Sequence, residues 1–339
     1  MSKIGIKIVR RREYVTNSKC KMQNAPKGSI RTKVKMIIFI LALHLTLYTL
    51  HGICGGPGTT GAAFLKLGAG SRPVAMGEAF VAAADDINAL YWNPAGLALA
   101  DGKQVSFVHT EWFQSIRYEY LAYCQQALGG TIGAGITYLY IDGIERRDAA
   151  GVLLSSVSIP ANDLAVAAAY SKSLSEKLAV GASVKFINQQ LDDQSAMGVA
   201  ADIGVLFRPS PEGLAVGVAL QNLGYQAAFE TVASPLPTNL KAGISQKSAD
   251  GNFTFAADFN YSLLDSIWAA GAGIEYWFHP VFSVRAGYKY NSAINSTLGA
   301  LSGLTCGVGF KVSMMNIDYA LVPYGDLGYT HRITVGAKF

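Results

Sequence analysis

Asp85 and Asp86, followed by Asn88, put three oxygen-bearing side chains within four residues. Clustered oxygens suit Ca²⁺, but that ion takes roughly six to eight of them. The neighbourhood supplies too few, so capping and turn hydrogen bonds are the reading the run favours. Beyond residue 54 the histidines are His109, His279 and His331, and that stretch has no His-x-x-x-His, Gly-x-Ser-x-Gly or Cys-x-x-Cys. Ser106 beside His109 is the nearest approach to a hydrolase pair and stands alone. Cys124 and Cys306 lie in separate apolar stretches, which makes neither a disulfide framework nor a metal site. Gly68-Ala69-Gly70 and Gly133-Ala134-Gly135 lack the third glycine of a dinucleotide loop; close packing or lumen space explains them better. No enzyme, metal or cofactor is indicated.

A second polar set is spread through the rest of the chain, one or two charges at a time. Arg117, Glu119, Lys185, Asp202, Arg208 and Asp258 belong to it, as do Glu275 and Arg285. Lys241, Lys289, Lys311, Asp318, Arg332 and Lys338 complete it. Each interrupts an apolar alternation, and together they hold nine basic and five acidic groups. If all face one interior, they form salt-bridge networks that plug a pore, or an interior that weakly favours anions or binds amphiphiles.

The elements that position these residues follow from the alternation itself. Side chains of a strand point alternately to opposite faces. Val199, Ala201, Ile203, Val205 and Phe207 oppose Asp202, Gly204 and Arg208; Phe253, Phe255, Ala257, Phe259 and Tyr261 oppose Thr254, Asp258 and Asn260. Such runs recur fourteen times, near 104–112, 116–126, 131–141, 163–172, 177–188, 198–208 and 213–222, then 239–247, 252–261, 267–277, 281–290, 302–313, 316–322 and 329–339. Connections after even strands are tight, as at Asp250-Gly251, whereas several after odd strands are long, notably 142–162, 223–238 and 291–301. Short turns on one side and long loops on the other are the pattern of outer-membrane barrels, whose short turns face the periplasm. Charged residues make up only 15% of the chain, against roughly 25% in soluble domains. The second face of the strands is mostly Gly, Ala, Ser and Thr, which suits a partly filled lumen better than the wet face of a sandwich. The expected fold is therefore all-β, a closed antiparallel transmembrane barrel spanning residues 103–339. Trp112, Tyr138, Tyr140, Tyr276, Trp277, Phe278, Tyr288 and Tyr290 gather near strand ends, as interfacial girdles do.

Before the barrel come two further segments. Residues 1–35 hold eleven basic residues and one acidic, leaving 17 basic and 22 acidic, a balance of −5, in the remainder. The overall +5 thus gives no support for nucleic-acid binding. The apolar run 36–50 and the small residues after it make 1–54 a leader with an export signal. Residues 55–102 break the alternation and are expected to form a plug-like segment, in which Asn93-Pro94-Ala95-Gly96 fixes the chain as it enters the wall.

Within that segment, Phe64-Leu65-Lys66-Leu67-Gly68-Ala69-Gly70-Ser71-Arg72, Met76-Gly77-Glu78-Ala79-Phe80-Val81-Ala82, Ala84-Asp85-Asp86 and Leu90-Tyr91-Trp92-Asn93-Pro94-Ala95-Gly96-Leu97 resemble the N-terminal signature of the PorV/PorQ family. That family is similar to the FadL-type long-chain fatty-acid transporters. The resemblance implies a fourteen-stranded outer-membrane barrel with Asp85, Asp86, Asn93, Pro94 and Gly96 in or under the lumen. It also implies a component of type IX secretion, with secretion-system proteins and exported cargo as partners. The alternative it implies is a passive channel for long-chain fatty acids or other hydrophobic small molecules. The last strand, with Tyr329, Ile333, Val335 and the terminal Phe339 on one face, resembles the β-signal read by the barrel-assembly machinery. Outer-membrane lipid would cover the exterior.

Overall fold

In the computed structural model the alternating runs pair edge to edge until no edge is left. The structure describes residues 56, 58–154, 159–210, 213–226, 228–229, 233–295 and 299–339; the leader, 1–54, lies outside them. The strands are β1 (Gln104–Glu111), β2 (Ile116–Ala127), β3 (Gly130–Ile141), β4 (Ala161–Ser175) and β5 (Leu178–Leu191). Then come β6 (Gln194–Phe207), β7 (Leu214–Gln226), β8 (Asn239–Lys247), β9 (Phe253–Ser262) and β10 (Ile267–His279). The last are β11 (Phe282–Asn291), β12 (Leu304–Val312), β13 (Met315–Pro323) and β14 (Tyr329–Lys338). Each pairs antiparallel with its sequence neighbours, and β1 pairs with β14 from Gln104 opposite Lys338 to Glu111 opposite His331. Closure satisfies every strand's hydrogen bonds within the wall, which lipid cannot do.

The outward face is apolar: Phe107, Leu121, Phe186, Val199, Ile203, Phe259 and Ile333 are all exposed. Tyr329, Val335 and Phe339 also point outward. The fold thus places the chain in the bacterial outer membrane, and by the turn rule the tight ends of the barrel are periplasmic. Phe339 closes the last strand by exchanging main-chain hydrogen bonds with Lys103.

The core is not inside the sheet but between the sheet and the segment before it. That segment starts at the extracellular end, where Thr60 meets Asp265, descends through the lumen, folds back, and leaves beside Asp101. It carries two short helices, α1 (Ser71–Ala75) and α2 (Ala89–Trp92), and a 3-10 turn over Pro94–Leu99. Between the two helices the chain turns over 81–83 and again over 87–88, where it leads into α2. Met76, Phe80, Leu90, Trp92 and Leu97 are buried against Val108, Tyr118, Tyr120 and Cys124 of the wall. Burial of each large side chain contributes about 1.5–3 kcal/mol. The small residues of the inner face now have a cause. A Cβ at Gly181 or Gly204 would overlap Pro94 or Asn93, and one at Gly273 would overlap the main chain of Met76.

The expected inward-facing set loses two members. Arg117 and Glu119 do not face the lumen. Their neighbours Tyr118, Tyr120, Ala122 and Cys124 take the inner face of β2, so parity turns both charges outward near the extracellular rim. There Glu119 lies 2.8 Å from His109 and Arg117 lies 3.0 Å from Asp142. Charge on the outer face is least costly close to the headgroups, which is where the short strand β1 ends.

Candidate functional site

The segment is bound to the wall by a few ionic side chains. Arg72, on α1, sends Nε and Nη2 to the two oxygens of Glu275 on β10, at 2.9 and 3.0 Å. Its Nη1 reaches Asp85 and Asp86, both at 2.7 Å. Glu275 also accepts from Arg285 Nε at 2.7 Å, and Arg285 Nη1 donates to Asp318 at 2.6 Å. Two arginines thus serve four carboxylates in one chain running from the segment through β10 and β11 to β13. Four of the expected site residues, Asp85, Asp86, Glu275 and Arg285, meet there through Arg72, which the sequence had not singled out. Burial lifts the Asp86 carboxyl above its ordinary range, with Arg72 opposing and Asp85 assisting.

Other expected residues hold the backbone. Asp258 accepts the amides of Phe80 and Val81 at 2.6 and 2.7 Å. Asn93 donates to Val81 and Val205 carbonyls, and its Oδ1 accepts from the Ala95 amide. Pro94 is buried under the glycines of β5 and β6, and a Cβ on Gly96 would overlap Ala84, where two passes of the segment cross. Lys185 and Asp202 pair at 2.8 Å inside the wall, beside a bulge where Asn222 takes a φ of 58°. Arg208 lies just past β6 and lines a periplasmic cavity.

Above the segment, at the extracellular end, is a cavity of about 420 Å³. Tyr91, Trp112, Phe113, Ile267, Ile294 and Tyr324 supply apolar and aromatic wall; Lys66, Lys241, Lys289 and Arg332 supply charge. Trp112, expected in an outer girdle, instead packs inside against Phe113 and Tyr324, ring centroids 5.2 Å away in each case. Lys66 pairs with Asp265 at 2.9 Å and Lys289 with Glu78 at 2.6 Å. Lys241 and Arg332 have no carboxylate within 4.0 Å among the described residues. Lys241 sits 4.6 Å from the centre of the Trp92 ring. Arg332 donates to the Gly68 carbonyl, but among the described residues its Nε finds no partner, nor do Trp112 Nε1 and Asn260 Oδ1.

A second cavity, about 710 Å³, opens on the periplasmic side beneath Arg72, Asp85 and Asp86. It shares no lining residue with the first. The layer of Met76, Phe80, Leu90, Trp92 and Leu97 lies between them. Glu78, which meets the upper cavity, was also missed; its signal was an acid standing alone in an apolar stretch.

A family model described as "Uncharacterised protein family (UPF0164)" matches residues 56–315, well over half the chain. The chain belongs to that family. No curated protein matches it. Among solved structures it is similar to the Pseudomonas putida toluene transporter TodX, with 15% identity and a TM-score of 0.53, covering 84% of this chain and 97% of TodX. It is also similar to the CymD monoaromatic hydrocarbon channel, with 14% identity and a TM-score of 0.58, covering 80% of this chain and 98% of CymD. A Pseudomonas aeruginosa FadL homologue is more distant, at 11% identity and a TM-score of 0.47 over 78% of this chain and 96% of that one. The likenesses to TodX and CymD establish the shared barrel. Neither the PorV/PorQ assignment nor the type IX secretion role gains support from them.

Proposed function

We propose that the barrel is a passive outer-membrane channel for long-chain fatty acids or other hydrophobic solutes. The observation that carries this reading is the upper cavity, an aromatic and aliphatic chamber at the extracellular end that stops on the buried layer of the segment. Chambers lined by apolar side chains with a few placed polar groups are the usual form of a small-molecule site. TodX and CymD, with the same barrel, are named for toluene and monoaromatic hydrocarbons, which supports a hydrophobic cargo here. In this reading Asp85, Asp86, Asn93, Pro94 and Gly96 set the segment's position, while Tyr329, Ile333, Val335 and Phe339 serve assembly of the barrel.

The test is binding by the purified protein in detergent. A fluorescent long-chain probe should enter the chamber and be quenched by Trp112, and Phe113→Glu together with Tyr324→Glu should abolish binding while the barrel stays folded. A probe that ignores both substitutions would remove the reading.

A further inference from the structure

We propose that Glu78 is a tethered carboxylate occupying the headgroup site for an anionic amphiphile, and that the solute enters by exchanging with it. The inference rests on the upper cavity being the solute site and adds what that site recognises.

Three wall cations converge on this one acid. Lys241 comes from β8, Lys289 from β11 and Arg332 from β14, each within a few residues of the extracellular end of its strand. Glu78 reaches them from the segment, its Oε2 2.6 Å from Lys289 Nζ. Burial pushes the Glu78 carboxyl up, yet Lys289, Arg332 and Lys241 together hold it below its ordinary range. The cavity is over-supplied with positive charge. Lys66 is cancelled by Asp265, which leaves three cations and one carboxylate, Glu78, on the cavity lining; Asp258, in an adjoining recess beside Lys241, is turned to the Phe80 and Val81 amides. Lys241 is 6% exposed and Arg332 only 1%, so water does little to offset what the missing anions leave. Arg332 Nε and Trp112 Nε1, on residues that line the same chamber, are buried donors without a partner among the described residues.

The backbone under Glu78 is also set for release. Gly77 and Glu78 both take left-handed φ values, 66° and 60°; for a side chain such as Glu this region is uncommon. Two residues further on, the Phe80 and Val81 amides hang on Asp258, and Met76 and Phe80 belong to the layer that divides the two cavities. An anionic headgroup that takes Lys289, Lys241 and Arg332 frees Glu78 and with it the turn over 76–80. A neutral hydrocarbon has no claim on the cations and leaves Glu78 in place, so the two kinds of solute differ in affinity for the closed and released forms.

The experiment titrates hexadecanoate and its uncharged analogue hexadecanol into the full protein in a non-ionic detergent by calorimetry, with fold checked by mobility on unheated gels. Glu78→Gln should tighten hexadecanoate by about tenfold, the scale of one competing charge near a protein surface, and leave hexadecanol within about twofold. Lys241→Gln and Arg332→Gln should weaken hexadecanoate alone. Unchanged or weaker hexadecanoate binding by Glu78→Gln would overturn the proposal. Should that variant not fold, Lys241→Gln decides: equal losses for acid and alcohol, or none, would overturn it too. Wild-type protein that binds neither compound would instead sink the channel reading beneath it.

Discussion

The two halves of the lumen hold the same segment by different balances of packing and charge. Against β3–β6 the turn over Pro94–Leu99 lies flush on glycine and alanine, and main chain touches main chain. Against β10–β14 glycines also admit the main chain, Gly273 meeting Met76, but side chains reach across as well, with Arg72 on Glu275, Glu78 on Lys289, Ser71 on Thr334 and Gly77 on Thr305. Packing spreads the attachment over many small contacts. Ion pairs concentrate it in a few groups that can trade partners. The first half anchors, and the second is where a charged solute has something to exchange with.

That contrast predicts that one substitution in the ionic half outweighs one in the packed half. Glu275→Gln leaves Arg72 and Arg285 facing each other with Glu275 and Arg285 both 2% exposed as side chains. Removing one partner of a buried pair costs about 3–5 kcal/mol, and the midpoint of urea unfolding should fall accordingly. A loss below about 1 kcal/mol would mean that the network is wet and the contrast false. In the packed half, Gly204→Val forces a side chain into Asn93 and Pro94. The expected cost is about 1–3 kcal/mol, with the exterior and strand content unchanged by circular dichroism.

Legibility in the sequence divides along the same line. The barrel could be read because alternation is local: all fourteen strands lie within a few residues of their expected spans, and β8 matches 239–247 at both ends. The wall's small residues could be read as room for something, but not for what, since Gly204 meets Asn93 across more than a hundred residues. The site was least legible. Arg72 and Glu78 matter because of Glu275 and Lys289, some two hundred positions away, and spacing carries no trace of such partners. Arg117 and Glu119 misled for a different reason. Charge in an alternating run implies the wet face, and at the rim of a barrel the outward face is wet as well.

Acid should separate the two halves further. Burial opposes ionisation of Glu78, but Lys289 with Arg332 and Lys241 wins, so its folded value lies below the unfolded one. Its stabilisation is then complete above the ordinary carboxylate range and lost as pH falls through the depressed folded value. Glu78→Gln should therefore unfold at lower urea than wild type at pH 7, and the two curves should merge below that range. Gly204→Val removes no charge, so its deficit should stay the same across the titration. A Glu78→Gln deficit that persists in acid would mean that the residue acts by shape.

The smallest effect belongs to a pair on the outer face that includes Glu119. His109 and Glu119 sit directly opposite each other on β1 and β2, 2.8 Å apart and partly exposed on the outer surface. Their register is imposed by strands that pair along their whole length, so the contact follows from the fold and does not create it. Exposed pairs are worth about 0.2–1 kcal/mol, and a cycle of His109→Ala, Glu119→Ala and the double variant should return a coupling in that range in detergent. Transfer to bilayers of longer acyl chains raises the hydrocarbon toward the pair, and the coupling should then grow as water is withdrawn. If it does not grow, the rim at β1 stays among the headgroups whatever the thickness.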